Sequence, residues 1–223
     1  MKKISISAST NPPLPTEFFR YMEILDDSQV DYIHCDVMDG KFVPNLSLSY
    51  KTVKGIAKAT HKPLDVHLMV KEPSSFTIRR YLKLKPAFLF VHYEAYEDKE
   101  RLKKILMLIS RKGVKPGIAI SPDTQVEQVR DIIPYCMAFL IMTVKPGLSG
   151  QKMIPSCIDK IKELKAINKE LGIDDTVYIV DGGINLDNVA KVIKAGYDIA
   201  VSGNALYKAA DKNDFIKAFT CPK

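Results

Sequence analysis

Short apolar runs alternate with longer amphipathic stretches along the whole chain. Eight runs have the length and the β-branched or aromatic content of strands, and they lie at Lys3–Ser7, Tyr32–Met38, Leu64–Val70, Phe88–His92, Lys115–Ile120, Phe139–Val144, Val177–Asp181 and Ile199–Ser202. Eight stretches have apolar residues at helical spacing, and they lie at Thr16–Leu25, Tyr50–Ala59, Ser74–Leu84, Lys99–Arg111, Val126–Ile133, Pro155–Leu171, Leu186–Lys194 and Ala205–Phe219. The pattern predicts a regular alternation of strand and helix.

The stretch Pro155–Leu171 illustrates the helical spacing. The residues that share its predicted inward stripe are Ile158, Ile161, Leu164, Lys165 and Asn168. The residues predicted to face solvent are Lys160, Lys162 and Glu163. Such a helix buries one face against a sheet and leaves the other in water.

Eight strand–helix units in 223 residues predict an α/β protein with a (β/α)8 TIM-barrel fold. The alternative is an open doubly wound sheet, which usually has a glycine-rich turn after its first strand. Here the turn reads Ala8–Pro13 and contains no glycine, which favours the barrel. We expect one barrel domain over residues 1–223, with its chemistry at the C-terminal ends of the strands.

Composition and charge exclude several classes of protein. Hydrophobic residues make up 46% of the chain and charged residues 26%, which is typical of a globular domain with a sizeable core. The net charge of +7 would suit nucleic acid, an anionic membrane or a phosphorylated metabolite. No nucleic-acid-binding motif is present, and the lysines on the predicted outer helices indicate solvated faces, so we expect no nucleic-acid partner.

Neither a membrane nor an oxidising compartment is indicated. No run approaches the roughly 20 apolar residues of a membrane span, and the N-terminus lacks the apolar segment of a secretory signal. The four cysteines lie far apart without a CxxC pair, which argues against a zinc finger or a disulfide framework. We therefore expect a cytoplasmic protein with no membrane partner.

Histidine and aspartate side chains are predicted to point into the barrel from two adjacent strands. Residues two apart share a face of a strand, so His34, Asp36 and Met38 should point inward while Cys35 and Val37 meet the outer helices. The next strand repeats the pattern, and its inward residues are Asp65, His67 and Met69. Buried polar side chains are costly unless they are paired or bind a ligand.

Asp181, at the end of the seventh predicted strand, completes a candidate metal site. Two imidazoles and two carboxylates, from His34, Asp36, His67 and Asp181, suit a divalent ion such as Zn²⁺, Mn²⁺ or Fe²⁺. The alternative interpretation of the histidine–aspartate pair is a structural ion pair. His92 and Glu94 form another inward pair, for which we favour a supporting role beside the metal site over a simple core hydrogen bond.

Glycines cluster in three loops that follow late strands. These residues are Gly147 and Gly150 on either side of Leu148 and Ser149, Gly182 with Gly183, and Gly203 before Asn204. Glycine lets backbone N–H groups approach an anion closely, and barrels often hold phosphate at the loops after strands seven and eight. Ordinary turns are the alternative, but three neighbouring glycine-bearing loops favour a phosphate site.

The quoted motifs, in this order, resemble the ribulose-phosphate 3-epimerase family over essentially the whole chain. The matching blocks are His34–Asn45, Leu64–Val70, His92–Ala95, Met142–Gln151 and Val180–Ile184. The resemblance implies a TIM barrel of the ribulose-phosphate-binding type that inverts C3 of D-ribulose 5-phosphate. It also implies one divalent metal ion, no organic cofactor, a sugar-phosphate ligand and a homo-oligomer of unspecified size.

The resemblance also implies roles for individual residues. His34, Asp36, His67 and Asp181 would hold the metal, and Asp36 and Asp181 would also exchange protons with the sugar from opposite faces. Further substrate-binding residues would be Ser7, His67, Met38, Met69, Met142, Gly147, Leu148, Ser149, Gly150, Gly182, Gly183, Gly203 and Asn204. Ser9 is an alternative to Ser7 because the stretch from Ser7 to His34 is slightly long for the family.

Three further alternatives stay open. The family loop Pro-Gly-Phe-Gly-Gly-Gln carries Leu148 and Ser149 here, and Met153 replaces a usual phenylalanine, which leaves D-allulose 6-phosphate as a second candidate substrate. A metal-free phosphate-binding barrel, such as a decarboxylase or an isomerase, often uses an inward lysine. None is predicted on the inner faces of the second, third and seventh strands. A catalytically inactive family member is the last alternative.

Overall fold

The computed structural model describes residues 4–221. Its eight strands are all parallel and form a closed barrel in sequential order, as predicted. They are β1 (Ser5–Ser9), β2 (Tyr32–Met38), β3 (Leu64–Met69), β4 (Phe88–His92), β5 (Lys115–Ile120), β6 (Ala138–Met142), β7 (Val177–Asp181) and β8 (Ile199–Ser202). Every strand pairs with both neighbours, and β1 closes the ring by pairing with β8.

Helices surround the barrel. They are α1 (Phe18–Asp27), α2 (Tyr50–Ala59), α3 (Ser75–Leu82), α4 (Lys99–Arg111), α5 (Lys160–Glu170), α6 (Val189–Ala195), α7 (Asn204–Lys208) and α8 (Lys212–Thr220). Two 3₁₀ segments add to them, at Val126–Tyr135 and Pro155–Asp159. Within residues 4–221, none of the helices combines the length and the apolar composition needed to cross a bilayer.

The first strand lies further along the chain than predicted. The predicted strand Lys3–Ser7 begins outside the described residues, whereas β1 runs to Ser9 and pairs Ser9 with His34. The alternation from Ser5 to Ser9 explains this register. Ile6 and Ala8 face the outer core, while the serines face the polar interior of the barrel. At β6 the prediction erred in the opposite direction, since the strand ends at Met142 rather than Val144.

Several predicted helices are broken where the chain cannot continue an α-helix. Val126–Tyr135 is 3₁₀ and contains Pro134, whose ring disfavours α-helical hydrogen bonding. The predicted helix Pro155–Leu171 starts with a 3₁₀ segment and becomes α-helical at Lys160. The predicted helix Ala205–Phe219 is two helices, because Ala209 adopts an extended conformation between them.

The outward orientation predicted for Lys160 is wrong. The residue is only 8% exposed, and its Nζ donates hydrogen bonds of 2.7 Å each to the carbonyls of Ser121, Pro122 and Thr124. Lys165, predicted to lie in the inward stripe, is exposed and donates to the Gly196 carbonyl instead. A charged head can be buried when several acceptors surround it, and hydrophobic spacing does not reveal those acceptors.

The barrel has two hydrophobic cores, one on each side of the sheet. The outer core lies between strands and helices and includes Cys35 and Val37, as the alternation predicts. The inner core fills the barrel and includes Phe88, Phe90, Leu140, Ile179 and Ile199. Gly117 makes room for it, because a Cβ there would lie 2.1 Å from the Phe90 ring. Polar side chains are thereby confined to one part of the barrel interior.

Candidate active site

A cavity of about 470 Å³ opens beside the C-terminal ends of the strands. Its wall includes Asp36 and Asp181 and the side chains of Met38, Met69 and Met142. The predicted loop residues that also line it are Gly147, Leu148, Ser149, Gly150, Gly182, Gly183, Gly203 and Asn204. Acidic groups, an apolar wall and glycine-bearing loops therefore share one chamber.

The four predicted metal ligands lie together at the base of this chamber. His34, Asp36, His67 and Asp181 each offer one ligand atom, and these four atoms all lie within 4.8 Å of one another. Asp36 Oδ1 lies 3.0 Å from His34 Nε2 and 2.9 Å from His67 Nδ1. Asp181 Oδ2 lies 3.7 Å from His34 Nε2 and 4.0 Å from His67 Nδ1.

This donor set fits a divalent ion. Ligand distances of about 2.0–2.2 Å in a tetrahedral zinc site separate ligand atoms by roughly 3.3–3.6 Å, which is close to the spacing observed. Both histidines are fully buried, while Asp36 and Asp181 keep 10% and 16% of their side chains exposed toward the cavity. The carboxylates can therefore meet both an ion and a ligand in the chamber.

His34 is oriented by a buried carboxylate that sequence reasoning did not assign to the site. Its Nδ1 lies 2.8 Å from Asp65 Oδ1, and Asp65 Oδ2 accepts a 2.9 Å hydrogen bond from the Ser7 hydroxyl. Such a partner fixes the tautomer of a ligating histidine. The inward position of Asp65 was predictable from the alternation in its strand, but its contact with His34 depends on the register of β2 and β3.

His67 has a different outer partner. Its Nε2 lies 2.9 Å from His92 Nε2, and His92 Nδ1 lies 2.9 Å from Glu94 Oε2. Burial opposes ionisation of Glu94, but hydrogen bonds from His92, Thr124 and Ser121 lower its pKa to about 2. The His92–Glu94 pair therefore stands directly behind a candidate metal ligand.

The two carboxyl groups facing the cavity have unequal proton affinities. Burial opposes ionisation of Asp36, but His34 and His67 hold its pKa well below the usual range. Burial raises the pKa of Asp181 to about 6, and the negative charge of Asp36 adds to the effect. Two neighbouring carboxyls with opposite shifts can divide the roles of acid and base.

The two serines considered for substrate contact have different surroundings. Ser7 is completely buried, its hydroxyl donates to Asp65, and it does not line the cavity. Ser9 lines the cavity, and its hydroxyl lies 3.4 Å from Asp36 Oδ2. This arrangement favours Ser9 over Ser7 for contact with a ligand in the cavity.

Asn11 is a site residue that sequence reasoning missed. Its Nδ2 donates a 3.0 Å hydrogen bond to Asp36 Oδ2, the carboxylate oxygen that does not contact the histidines. Asn11 also lines the cavity. The only sequence signal for Asn11 is its place in the loop after the first strand. Because the predicted strand ends two residues too early, this signal does not place Asn11 beside the strand end.

The three glycine-bearing loops are in mutual contact. A Cβ on Gly183 would lie 2.5 Å from Met153 N and 2.7 Å from Gln151 O, and one on Gly150 would lie 3.1 Å from Asn204 Nδ2. Gly183 also has a φ of +68°, which disfavours other residues. Among residues 4–221, no protein acceptor is found for the N–H groups of Gly182, Gly183 and Asn204.

Comparison with known proteins finds relatives that span most of the chain. The model of the ribulose-phosphate 3 epimerase family matches residues 5–207. The chain is 40% identical over 186 residues to ribulose-phosphate 3-epimerase of Bacillus subtilis, covering 83% of this chain and 84% of the relative. It is 36% identical over 188 residues to the protein of that name from Synechocystis, covering 84% and 80%.

Solved structures show the same fold at low sequence identity. A 3-hexulose-6-phosphate synthase from Salmonella typhimurium superposes with a TM-score of 0.70 at 17% identity, covering 97% of each chain. KGPDC from Streptococcus mutans gives a TM-score of 0.71 at 11% identity, covering 98% of this chain and 96% of its own. These two similarities bear on the fold alone.

Proposed function

The chain belongs to the ribulose-phosphate 3-epimerase family, and from that premise we propose that it interconverts D-ribulose 5-phosphate and D-xylulose 5-phosphate. The observation that carries the proposal is the placement of Asp36 and Asp181 together at the wall of one cavity, beside His34 and His67. The relatives that bear this enzyme's name support the same activity. We further propose that residues 1–223 form a single domain.

The reaction requires proton transfer at C3 on both faces of the sugar. Removal of the C3 proton, which is acidic because C2 is a carbonyl, leaves a planar enediolate. Return of a proton to the same face would regenerate the starting sugar, so inversion needs a second proton carrier on the other face. Asp36 and Asp181 come from β2 and β7, with β8 and β1 between them, and we assign them these two roles.

One divalent ion is the only cofactor we propose, held by His34, Asp36, His67 and Asp181. It would supply Lewis-acid stabilisation of the negative charge that develops on the C2 oxygen. Zn²⁺, Mn²⁺ and Fe²⁺ all suit two imidazoles and two carboxylates. Proton transfer at a carbon beside a carbonyl needs no organic cofactor.

Other residues of the chamber would orient the sugar. We propose that the Ser9 hydroxyl contacts the sugar, because Ser9 lines the cavity beside Asp36 while the Ser7 hydroxyl donates to Asp65. Asn11 would hold Asp36 Oδ2 in place through its amide. Met38, Met69 and Met142 form an apolar wall that would limit water near the reacting carbon.

We assign the phosphate group to the three glycine-bearing loops. They touch one another and line the cavity, and the N–H groups of Gly182, Gly183 and Asn204 have no acceptor among residues 4–221. Hydrogen bonds from N–H groups to a charged phosphate are stronger than those to neutral acceptors. The residues assigned to this group are Gly147, Leu148, Ser149, Gly150, Gly182, Gly183, Gly203 and Asn204.

We expect free D-ribulose to be a far poorer substrate than D-ribulose 5-phosphate. Loss of three hydrogen bonds to a charged group, at about 1.5 kcal/mol each, lowers kcat/KM about a thousandfold. Steady-state assays of both sugars on one preparation measure this ratio. Inorganic phosphate should compete with the phosphorylated sugar, and equal kcat/KM for the two sugars would contradict the assignment.

D-Allulose 6-phosphate is the second candidate substrate, and one observation favours it. Leu148 is 57% exposed and lies at the boundary between the cavity and an adjoining groove of about 1060 Å³. A longer sugar could extend its chain in that direction. A pocket of this kind distinguishes two substrates that differ by one carbon by only about 1–3 kcal/mol of transition-state binding free energy.

The function is tested by NMR in D₂O with both sugar phosphates. We expect conversion of D-ribulose 5-phosphate with deuterium at C3, and a kcat/KM at least about tenfold above that for D-allulose 6-phosphate. A preference for the hexose would change the substrate and leave the mechanism unaltered. Absence of turnover with either sugar in metal-supplemented protein would identify an inactive family member.

A further inference from the structure

We propose that His92 and Glu94 are positioning residues for His67, and that they fix the ring nitrogen that His67 presents to the metal site. The inference rests on the proposed metal site and adds a second group of residues behind it. The contacts run from His67 on β3 to His92 on β4 and then to Glu94. We call these three residues the relay.

Hydrogen-bond chemistry allows one proton arrangement in the relay when a cation is bound. His67 Nδ1 faces Asp36 and Asp181, and a ligating nitrogen must be unprotonated. The ring hydrogen of His67 is then on Nε2 and is donated to His92 Nε2, 2.9 Å away. Because that nitrogen of His92 accepts, its own hydrogen is on Nδ1 and is donated to Glu94.

Glu94 ends the relay as an acceptor with both oxygens engaged. Its Oε2 accepts from His92 Nδ1 at 2.9 Å, and its Oε1 accepts from the Ser121 N–H at 2.8 Å and from the Thr124 hydroxyl. Three donors converge on this carboxylate, so a group with an N–H in its place would leave at least one donor unpaired. The relay therefore has a defined direction from His67 to Glu94.

The far end of the relay is anchored by the buried lysine of α5. Lys160 donates to three carbonyls of the loop that presents Ser121 and Thr124 to Glu94. On the other side, the Phe42 ring packs against His92 with ring centroids 4.7 Å apart. These contacts leave His92 completely buried, so water does not replace Glu94 as its partner.

The two histidines of the metal site therefore have unlike supports. His34 donates directly to the Asp65 carboxylate, whereas His67 reaches a carboxylate only through a second imidazole. Outer partners orient ligands and tune their basicity. Changes in the relay should thus alter metal binding through His67 while the contact of His34 with Asp65 persists.

The test measures the dissociation constant for Zn²⁺ by competition with a chromophoric chelator, and the absorption spectrum of the Co²⁺ form. We expect His92→Leu and Glu94→Gln to weaken Zn²⁺ binding about 10–100-fold and to shift the Co²⁺ absorption bands. His92→Gln, which can still offer an oxygen to His67, should lie between His92→Leu and the unaltered protein. The isosteric Thr124→Val removes only one donor to Glu94 and should have a smaller effect in the same direction.

Matched controls distinguish the effect of changing the relay from the effect of altering a histidine or a carboxylate elsewhere, or of unfolding the protein. His61→Gln alters a histidine whose side chain is 96% exposed, and Glu72→Gln alters a carboxylate paired with Arg101 outside the relay. Both controls should bind Zn²⁺ within twofold of the unaltered protein. The melting temperature of each metal-free variant shows that binding is measured on folded protein.

The outcomes distinguish the relay from the metal site itself. His67→Gln removes a proposed ligand and should weaken Zn²⁺ binding more than any relay variant. If His67→Gln weakens binding while His92→Leu and Glu94→Gln leave both the dissociation constant and the Co²⁺ spectrum unchanged, only the relay is overturned. If the unaltered protein binds no Zn²⁺ or Co²⁺, both the proposed metal site and the proposed role of the relay are contradicted.

Discussion

Asp36→Asn and Asp181→Asn should each lower the rate of epimerisation by at least about a thousandfold. Either substitution leaves one face of the sugar without a proton carrier, and a positioned acid or base contributes roughly 10²–10⁴ in rate. Both residues are also proposed ligands, so loss of metal affinity adds to the effect. The measurement is kcat at saturating Zn²⁺, with the bound metal determined for each variant.

Isotope exchange gives this prediction a second, more specific readout. In D₂O, a variant that keeps one carboxylate should exchange the C3 proton of one epimer without forming the other. The complementary variant should exchange only the opposite epimer. Asp175→Asn is the matched control, because it removes an exposed carboxylate before β7, at the opposite end of the strand from Asp181. A metal-loaded Asp36→Asn or Asp181→Asn protein with near-normal turnover would contradict the two-carboxylate mechanism.

The fold and the positions of the four candidate metal ligands were predictable because they depend on local alternation. In β2 and β3, residues two apart share a face, so the inward positions of His34, Asp36 and His67 follow from the sequence alone. Asp181 ends its strand as predicted, and parallel strands bring their C-terminal ends to one side of the barrel. The closed barrel then places all four residues together.

Contacts set by tertiary register were not predictable in this way. The shift of β1 by two residues decides whether Ser7 or Ser9 reaches the cavity, and it places Asn11 beside Asp36. The predicted strand ends at Ser7, two residues before the end of β1. Here the serines are accommodated because the barrel interior offers them Asp65 and Asp36 as acceptors.

Lys160 shows the same limit at an outer helix. A lysine at a helix start is ordinarily solvated, and the spacing of apolar residues gave no reason to bury it. Three carbonyls from the loop after β5 provide the acceptors that offset the cost of burying its charge. That loop also supports Glu94. The burial of Lys160 and the position of Glu94 therefore both depend on contacts of this loop, which the spacing of apolar residues does not predict.

Removal of the metal is the second large effect that we expect. Treatment with a strong chelator should lower kcat/KM at least about a thousandfold, since several kcal/mol of charge stabilisation at the C2 oxygen is lost. Zn²⁺, Mn²⁺ or Fe²⁺ should restore activity, and elemental analysis should give about one ion per chain.

The preferred ion can be identified from the free concentration of each ion that restores activity to the metal-free enzyme. Affinity for nitrogen and oxygen donors rises from Mn²⁺ through Fe²⁺, and Zn²⁺ lies above both, so the lowest free concentration that restores activity should be that of Zn²⁺. His34→Gln should raise the concentration required for every ion, whereas the exposed His61→Gln should not. Full activity in protein shown to be free of metal would contradict the proposed role of the ion. The enediolate would then have to form beside two carboxylates without the ion. That is harder, because both carboxylates accept protons and neither carries the positive charge that stabilises an enediolate.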